Sequence, residues 1–359
     1  MTVEDIFENP FRRDWQTISS GTVRFAVVGL GGWTLERAIP AIDASELCAV
    51  TVAVSGSADK ATDVVDQWPT VEHGITYEEF HDGIGREDYD AVYVCTPNVT
   101  HLDYVSSAAT FGKHVLCEKP MEVSVERSQR MIDVCRHHGV KLMIGYRMQT
   151  EPLVRRFREL VQQGFIGDPV HVHGHISNTL LEETPGSSAD PDQWRLDPEL
   201  SGGTTLIDIG LYPLNTARFV LDEDPESLTA EMFSENELFD GADEHVSLQL
   251  TFPGSICASC TASFGATETS HLEVIASEGR ARLQPAFFPW HERTLTVTRD
   301  ETTYQVSSDR IDQMEEEFEY FADRILSDQE PYPDGRHGLV DMDIVEAAYE
   351  SRSLNQDIV

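Results

Sequence analysis

Two short stretches hold residue types suited to moving a proton. The first is Glu118-Lys119-Pro120, which closes the apolar run His114-Val115-Leu116-Cys117. Such a run reads as a buried strand. Open α/β sheets bind ligands at the carboxyl ends of their strands, and a lysine placed there is costly unless it is paired or used. Pro120 biases Lys119 toward extended backbone. The second stretch is Asp208-Ile209-Gly210-Leu211-Tyr212, followed by Pro213 and Asn215. On a helix Asp208 and Tyr212 are four residues apart and share a face, with Asn215 three residues further along it. Pro213 cannot donate to the carbonyl of Ile209, which leaves a kink or a free acceptor beside Tyr212. Each stretch alone could be structural. Together a lysine, a phenol and a carboxylate form a set for general acid–base chemistry.

A third stretch points to the reagent that such a set would serve. Arg24-Phe25-Ala26-Val27-Val28 is a short apolar run, and Gly29-Leu30-Gly31-Gly32-Trp33-Thr34 follows it at the start of a helix-compatible segment over residues 34–42. Glycines between a strand and a helix let backbone N–H groups approach a pyrophosphate, which the helix N-terminus also favours. Gly29, Gly31, Gly32 and Trp33 are therefore candidate cofactor contacts. Thr34 stands where the fingerprint has its third glycine. The end of the next strand carries Ser55-Gly56-Ser57-Ala58-Asp59-Lys60. NAD enzymes usually place a carboxylate at that strand end, on the ribose 2′-hydroxyl. With Ser55 there instead, and Lys60 able to pair with a phosphate, the turn predicts NADP, with Ser55 and Lys60 at its 2′-phosphate and Gly56 a further cofactor contact.

The elements that would carry these residues alternate. Apolar strand-like runs at 24–28, 49–54, 91–95, 114–117 and 141–144 are separated by helix-compatible segments at 34–42, 58–67, 104–111 and 125–138. This predicts an α/β domain, a parallel sheet with helices on both faces. After about residue 145 the period changes. A helix over 151–163 is followed by alternating segments at 170–176, 246–252, 255–264, 271–275 and 294–297. These read as an open, mostly antiparallel sheet. Helices are expected over 204–221, 310–327 and 339–353. The expected organisation is an N-terminal arm (1–21), a Rossmann dinucleotide-binding domain (22–148) and an α+β domain for substrate binding and oligomerisation (149–359). Its C-terminal helix would pack back on the Rossmann domain.

Composition restricts the partners. The chain has 359 residues with 63 acidic against 26 basic, a net charge of -37, and only four lysines. The acids are spread along the whole chain. Such a surface repels itself in dilute salt and is tolerable where counterions screen it. It predicts a halophilic protein and argues against nucleic acid or anionic membranes as partners. No run has the length of a membrane span. The first twenty residues lack an apolar segment, so Arg12-Arg13 does not read as an export signal and a cytoplasmic location is expected. Cys257-Ala-Ser-Cys260 has the spacing of a redox or zinc pair but lies in an alternating strand pattern without a second pair. His171, His173 and His175 alternate on one strand face without an acidic or cysteine partner at ligand spacing. They are read as sheet-face residues, so no metal is expected.

Several stretches together make the sequence similar to the Gfo/Idh/MocA oxidoreductases, in particular their glucose–fructose oxidoreductase-like branch. They are Val27-Val28-Gly29-Leu30-Gly31; Ser55-Gly56 with Lys60; Thr96-Pro97-Asn98 with His101; Gly112-Lys113-His114 through Cys117-Glu118-Lys119-Pro120-Met121; Met143-Ile144-Gly145-Tyr146-Arg147; Gln193-Trp194-Arg195-Leu196; and Gly202-Gly203 leading to Asp208 through Asn215. The resemblance implies Lys119 and Tyr212 as the catalytic pair, with Asp208 on the sugar. It implies Thr96, Pro97, Asn98, His101, Glu118, Lys119 and Arg147 as cofactor contacts. Lys119, Arg147, Trp194, Arg195, Asp208, Tyr212 and Asn215 would face the substrate, and the Lys119–Pro120 bond would be cis. Many members have histidine where this chain has Tyr212. The implied reaction is NADP-dependent oxidation of an aldose at C1 to the lactone, with D-xylose the expected sugar and a homo-oligomer formed through the sheet. Either Tyr212 or Lys119 could be the base. Rival readings are a glucose–fructose oxidoreductase, a trans-dihydrodiol dehydrogenase, and a non-catalytic NADP-binding sensor. The proton-transfer set argues against the last.

Overall fold

The computed structural model describes residues 8–180, 193–239, 241–308 and 311–352. These fall into two compact units. One comprises Asp14–Arg147 together with Asp312–Met342, and the other takes in the remaining described residues. The boundary expected near residue 148 is therefore crossed again late in the chain.

The first unit is built on six parallel strands: β1 (Val23–Val28), β2 (Cys48–Ser55), β3 (His73–Thr76), β4 (Ala91–Val94), β5 (His114–Glu118) and β6 (Leu142–Gly145). They lie in the order β3-β2-β1-β4-β5-β6. Their near-continuous Val, Ala and Leu content fits strands buried on both faces; β4 and β6 are buried at every position. The order reverses between β1 and β4, and the ends of those two strands adjoin the crevice where such sheets bind ligands.

The helix Gln313–Leu326 belongs to this unit. Phe318 and Phe321 join Phe25, Val27 and Val50 in one core, and the Phe25 and Phe318 rings meet edge-on at 5.4 Å. The same helix holds the chain that precedes β1. Trp15 packs edge-on against Tyr320 at 5.4 Å, and the Asp323 carboxylate accepts the N–H groups of Thr17 and Ile18 at 2.7 and 2.8 Å. Residues 15–18 of the N-terminal arm are thus held by a helix about 300 residues away in sequence.

The second unit carries eight strands: β7 (Pro169–Thr179), β8 (Ser227–Phe233), β9 (His245–Phe252), β10 (Ile256–Ser263), β11 (Gly265–Ala276), β12 (Gly279–Gln284), β13 (Thr294–Arg299) and β14 (Thr302–Ser307). Their order is β14-β13-β12-β11-β7-β10-β9-β8, and every pairing is antiparallel except β7 with β10. The helix Leu211–Leu221 packs on one face. Gly174 marks the contact, because a Cβ there would lie 2.6 Å from Cβ of Pro213. His171, His173 and His175 point to the other face. Cys257 is exposed on β10 while Cys260 is buried, since residues three apart on a strand face opposite ways.

Candidate active site

The phosphate turn is shaped by what its glycines touch. Gly29 has φ +96°, and a Cβ on it would lie 2.1 Å from the carbonyl oxygen of Cys95, so β1 can turn here only without a side chain. Gly31 has nothing within 4 Å of such a Cβ, and Gly32 only Glu36 Oε1 at 3.9 Å. The backbone above them is open. Thr34–Ala38 then forms a π-helical turn before the helix Ile39–Ala44. Trp33 Nε1 and Thr34 Oγ1 are buried without a hydrogen-bond partner. Buried polar atoms are rarely left so. An open glycine cradle beside orphaned donors fits a bound dinucleotide pyrophosphate.

The end of β2 fits a phosphorylated ribose. Ser55 Oγ accepts the N–H of Ser57 at 3.2 Å, and Ser57 Oγ caps the helix Ala58–Gln67 by accepting the N–H of Lys60 at 3.3 Å. The Lys60 ammonium bends back to within 3.5 Å of the Leu30 carbonyl, which sets its charge at the phosphate turn.

At the end of β5, Glu118 and Lys119 are half-buried, and the Lys119–Pro120 bond is cis. Glu118 accepts the Tyr93 hydroxyl at 2.7 Å and the N–H of Lys119 at 3.2 Å. His101 is fully buried. Its Nε2 faces the carbonyl of Thr96 at 3.0 Å, and Nδ1 faces those of Pro120 and Met121 at 3.1 and 3.2 Å. Burial lowers its pKa. His101 therefore ties the Thr96-Pro97-Asn98 turn to the lysine loop. Asn98 is itself buried, and Thr96 accepts the Thr100 hydroxyl at 2.8 Å.

Arg147 is 4% exposed. Its guanidinium lies over the Trp33 ring, 5.6 Å from the centroid, and donates to Gln313. Glu317, one turn further on that helix, is fully buried with both carboxyl oxygens lacking hydrogen-bond partners. Burial pushes its pKa well above the usual carboxylate range, Glu118 adds to the rise and Arg147 opposes it. Gln313 and Glu317 were not among the residues expected at the site. The helix pattern of the sequence carries no sign of which polar side chain it buries.

In the second unit, Leu206–Gly210 is a π-helical turn running into the helix Leu211–Leu221. Pro213 explains the wider turn, because it lacks the N–H that would bond to the Ile209 carbonyl. Within residues 203–221 every residue is buried except Asp208 and Tyr212. Asp208 Oδ2 accepts Arg195 Nε at 2.9 Å, and the Arg195 guanidinium stacks on Trp194 at 4.7 Å. Tyr212 stacks on the buried Phe287 with centroids 5.9 Å apart, and Asn215 Oδ1 accepts Gln149 Nε2 at 2.7 Å. Arg195 and Asp208 are thus in contact and Tyr212 lies four residues further along the same segment, while Asn215 is buried and serves Gln149. On the far sheet face His175 lies 2.7 Å from Thr261 Oγ1 and 3.1 Å from Ser177 Oγ, and the rings of His171 and His173 stack on each other.

A parallel sheet with an open glycine turn at its switch point, joined to an open-sheet unit with a half-exposed tyrosine and carboxylate, defines an oxidoreductase that uses a nicotinamide dinucleotide. The chain belongs to the Gfo/Idh/MocA oxidoreductase family. Residues 23–146 match the oxidoreductase family's NAD-binding Rossmann fold, and residues 154–282 match its C-terminal domain. The chain is 53% identical over 343 residues to D-xylose 1-dehydrogenase [NADP(+)] of Haloarcula marismortui, covering 95% of this chain and 94% of that protein. It is 31% identical to D-xylose 1-dehydrogenase (NADP(+)) 2 of Haloferax volcanii, over 91% of this chain and 96% of the relative. Among solved structures it resembles aldose-aldose oxidoreductase from Caulobacter crescentus, crystallised with glycerol. That match has a TM-score of 0.86 and 29% identity, and covers 93% of this chain and 98% of the other.

Proposed function

We propose that this chain is an NADP-dependent aldose 1-dehydrogenase that oxidises D-xylose at C1 to the lactone. The observation that carries the reading is the exposure of Asp208 and Tyr212 alone in an otherwise buried segment. Burial is the rule for a core helix, so a phenol and a carboxylate left open together mark a place where a ligand's hydroxyls are met. The names of the two haloarchaeal relatives support the sugar and the cofactor. Ser55 and Lys60 support NADP on independent grounds, because no carboxylate closes β2.

NADP, when bound, accepts the hydride from C1. The chain supplies the rest. The open backbone at Gly31 and Gly32 and the Lys60 ammonium hold the dinucleotide phosphates. Arg147 fixes Trp33 at the turn. Arg195 neutralises Asp208 and orients its carboxylate toward sugar hydroxyls. Lys119 and Tyr212 would form the proton-transfer pair, with Tyr212 taking the C1 hydroxyl proton.

The same reading makes the protein halophilic, cytoplasmic and a homo-oligomer. Two registered rows of side chains cross all eight strands on the face turned away from the Leu211–Leu221 helix, one through His171 and one through His173. The rows carry one carboxylate, Glu273, and two arginines, Arg280 and Arg282. In a chain of net charge -37 such a face is suited to contact with a second copy. A single-chain mass by light scattering in molar KCl would overturn that part.

The test of the activity is a panel of aldoses with NADP and NAD in molar KCl, reading release of reduced cofactor. D-xylose with NADP should give the highest kcat/KM. Tyr212→Phe and Lys119→Ala should each lower kcat by about 100- to 10,000-fold, the usual value of general acid–base catalysis. Turnover near that of the wild type in either variant removes that residue from the pair. A nicotinamide signal that stays with the protein through both half-reactions would favour a glucose–fructose oxidoreductase instead.

A further inference from the structure

Asp243 is a carboxylate that the proton-transfer scheme does not use. It is 1% exposed and sits just before β9. Its Oδ1 accepts the N–H of Thr204 at 3.0 Å and the Tyr349 hydroxyl at 2.9 Å, and its Oδ2 accepts the N–H of Leu206 at 2.6 Å. Its own carbonyl accepts the Thr205 hydroxyl at 2.6 Å. The N–H groups it takes stand at the start of the segment bearing Asp208 and Tyr212, where helical N–H groups have no partner within the helix. Gly203 admits the phenol, because a Cβ there would lie 2.0 Å from the Tyr349 oxygen.

The contacts run on to the half-exposed pair. Thr204, held by Asp243, donates its hydroxyl to the carbonyl of Arg195 at 3.1 Å, and its own carbonyl accepts the N–H of Asp208 at 3.0 Å. Arg195 Nε then donates to Asp208 at 2.9 Å. One buried carboxylate thereby fixes the backbone of both members of an ion pair whose side chains reach solvent. Side chains held at both backbones lose less freedom when a ligand arrives.

We propose that Asp243 is a positioning residue for sugar binding, acting through Thr204 on the Arg195–Asp208 pair. The proposal rests on the reading that this pair meets the sugar. Asp243 acts with Tyr349 and never touches substrate.

The experiment is a double-mutant cycle in molar KCl on the full chain. Asp243→Asn and Thr204→Val are made in the wild type and in Asp208→Asn, and KM for D-xylose, KM for NADP, kcat and Tm are recorded. Thr204→Val is nearly isosteric and keeps the test open if Asp243→Asn does not fold. Asp208→Asn should raise KM for D-xylose by about tenfold or more, the scale of one charge-assisted hydrogen bond. Thr204→Val and Asp243→Asn should raise it in the same direction, with KM for NADP and kcat moved less than about twofold. In the Asp208→Asn background they should add nothing further. Full additivity, or an unchanged sugar KM in folded Thr204→Val, overturns the proposal while leaving the sugar-binding reading in place. An unchanged sugar KM in Asp208→Asn overturns that reading, and the proposal with it.

Discussion

The proposed NADP preference assigns a large part of cofactor choice to a single ammonium. Lys60 lies 3.5 Å from the Leu30 carbonyl and is one of four lysines in a chain that otherwise uses arginine. NADP differs from NAD by one phosphate, so an ammonium beside that phosphate acts on one cofactor only. Lys60→Ala should raise KM for NADP by about tenfold or more and leave that for NAD within about twofold, as expected for a charge-assisted hydrogen bond. Equal effects on the two cofactors would refute the assignment. The roles proposed for Lys60, Lys119 and Tyr212 can be read from the sequence because each sits at a fixed offset from a strand end or a glycine. Asp243, Gln313 and Glu317 were not. A buried carboxylate has no local signature, and in a chain with 63 acidic residues it reads as one more surface charge. Its role appears only when distant segments, such as residues 204–206 and Tyr349, bring donors to it.

The π-helical turn at Leu206–Gly210 ends two residues before Tyr212, and Pro213 is its cause. That proline also sets how closely the Leu211–Leu221 helix approaches β7, through Gly174. The 2.6 Å between a Cβ at Gly174 and Cβ of Pro213 leaves no room for a methyl group, and neither partner is a flexible side-chain end. Gly174→Ala should therefore push this helix off the sheet, lowering kcat/KM for the aldose by at least tenfold and Tm by several degrees, in keeping with the ~1–3 kcal/mol cost of overpacking. NADP binding, followed by the fluorescence of the reduced cofactor, should stay within about twofold. An alanine variant with wild-type sugar kinetics would show that the helix position does not matter. Elements with a strong period were the readable ones. Ala58–Gln67 and Val125–His138 match the helices expected from the sequence, residue for residue. The strands β8, β12 and β14 were missed: few apolar side chains mark their inward faces, β12 offers only Ala281 and Leu283 there, and β8 turns Phe233 outward. The parallel pairing of β7 with β10 was also beyond reach, since neighbouring strands in space are far apart in sequence.

At the scale of the whole molecule the net charge of -37 dominates. Few of the carboxylates are placed to help the fold. Asp243, Glu317 and Glu122 are buried, but most of the other described carboxylates lie on the surface, some facing an arginine, as Asp90 faces Arg24. Exposed pairs of that kind contribute little. The rest repel one another across distances that dilute salt does not screen. The Debye length is about 10 Å at 0.1 M and about 3 Å at 1 M, so molar salt cuts the repulsion to near neighbours only. Relief of several kcal/mol in a chain of this size corresponds to a Tm rise of roughly 5 °C. The expected result is a Tm that climbs steeply between tens of millimolar and molar KCl, with loss of far-UV circular dichroism at the low end. Screening is indifferent to the cation, so tetramethylammonium chloride at equal ionic strength should restore much of the stability. Restoration by KCl alone would mean that specific cation sites carry the effect. A Tm unchanged from dilute buffer to molar salt would mean that the surface charge is not an adaptation to salt at all.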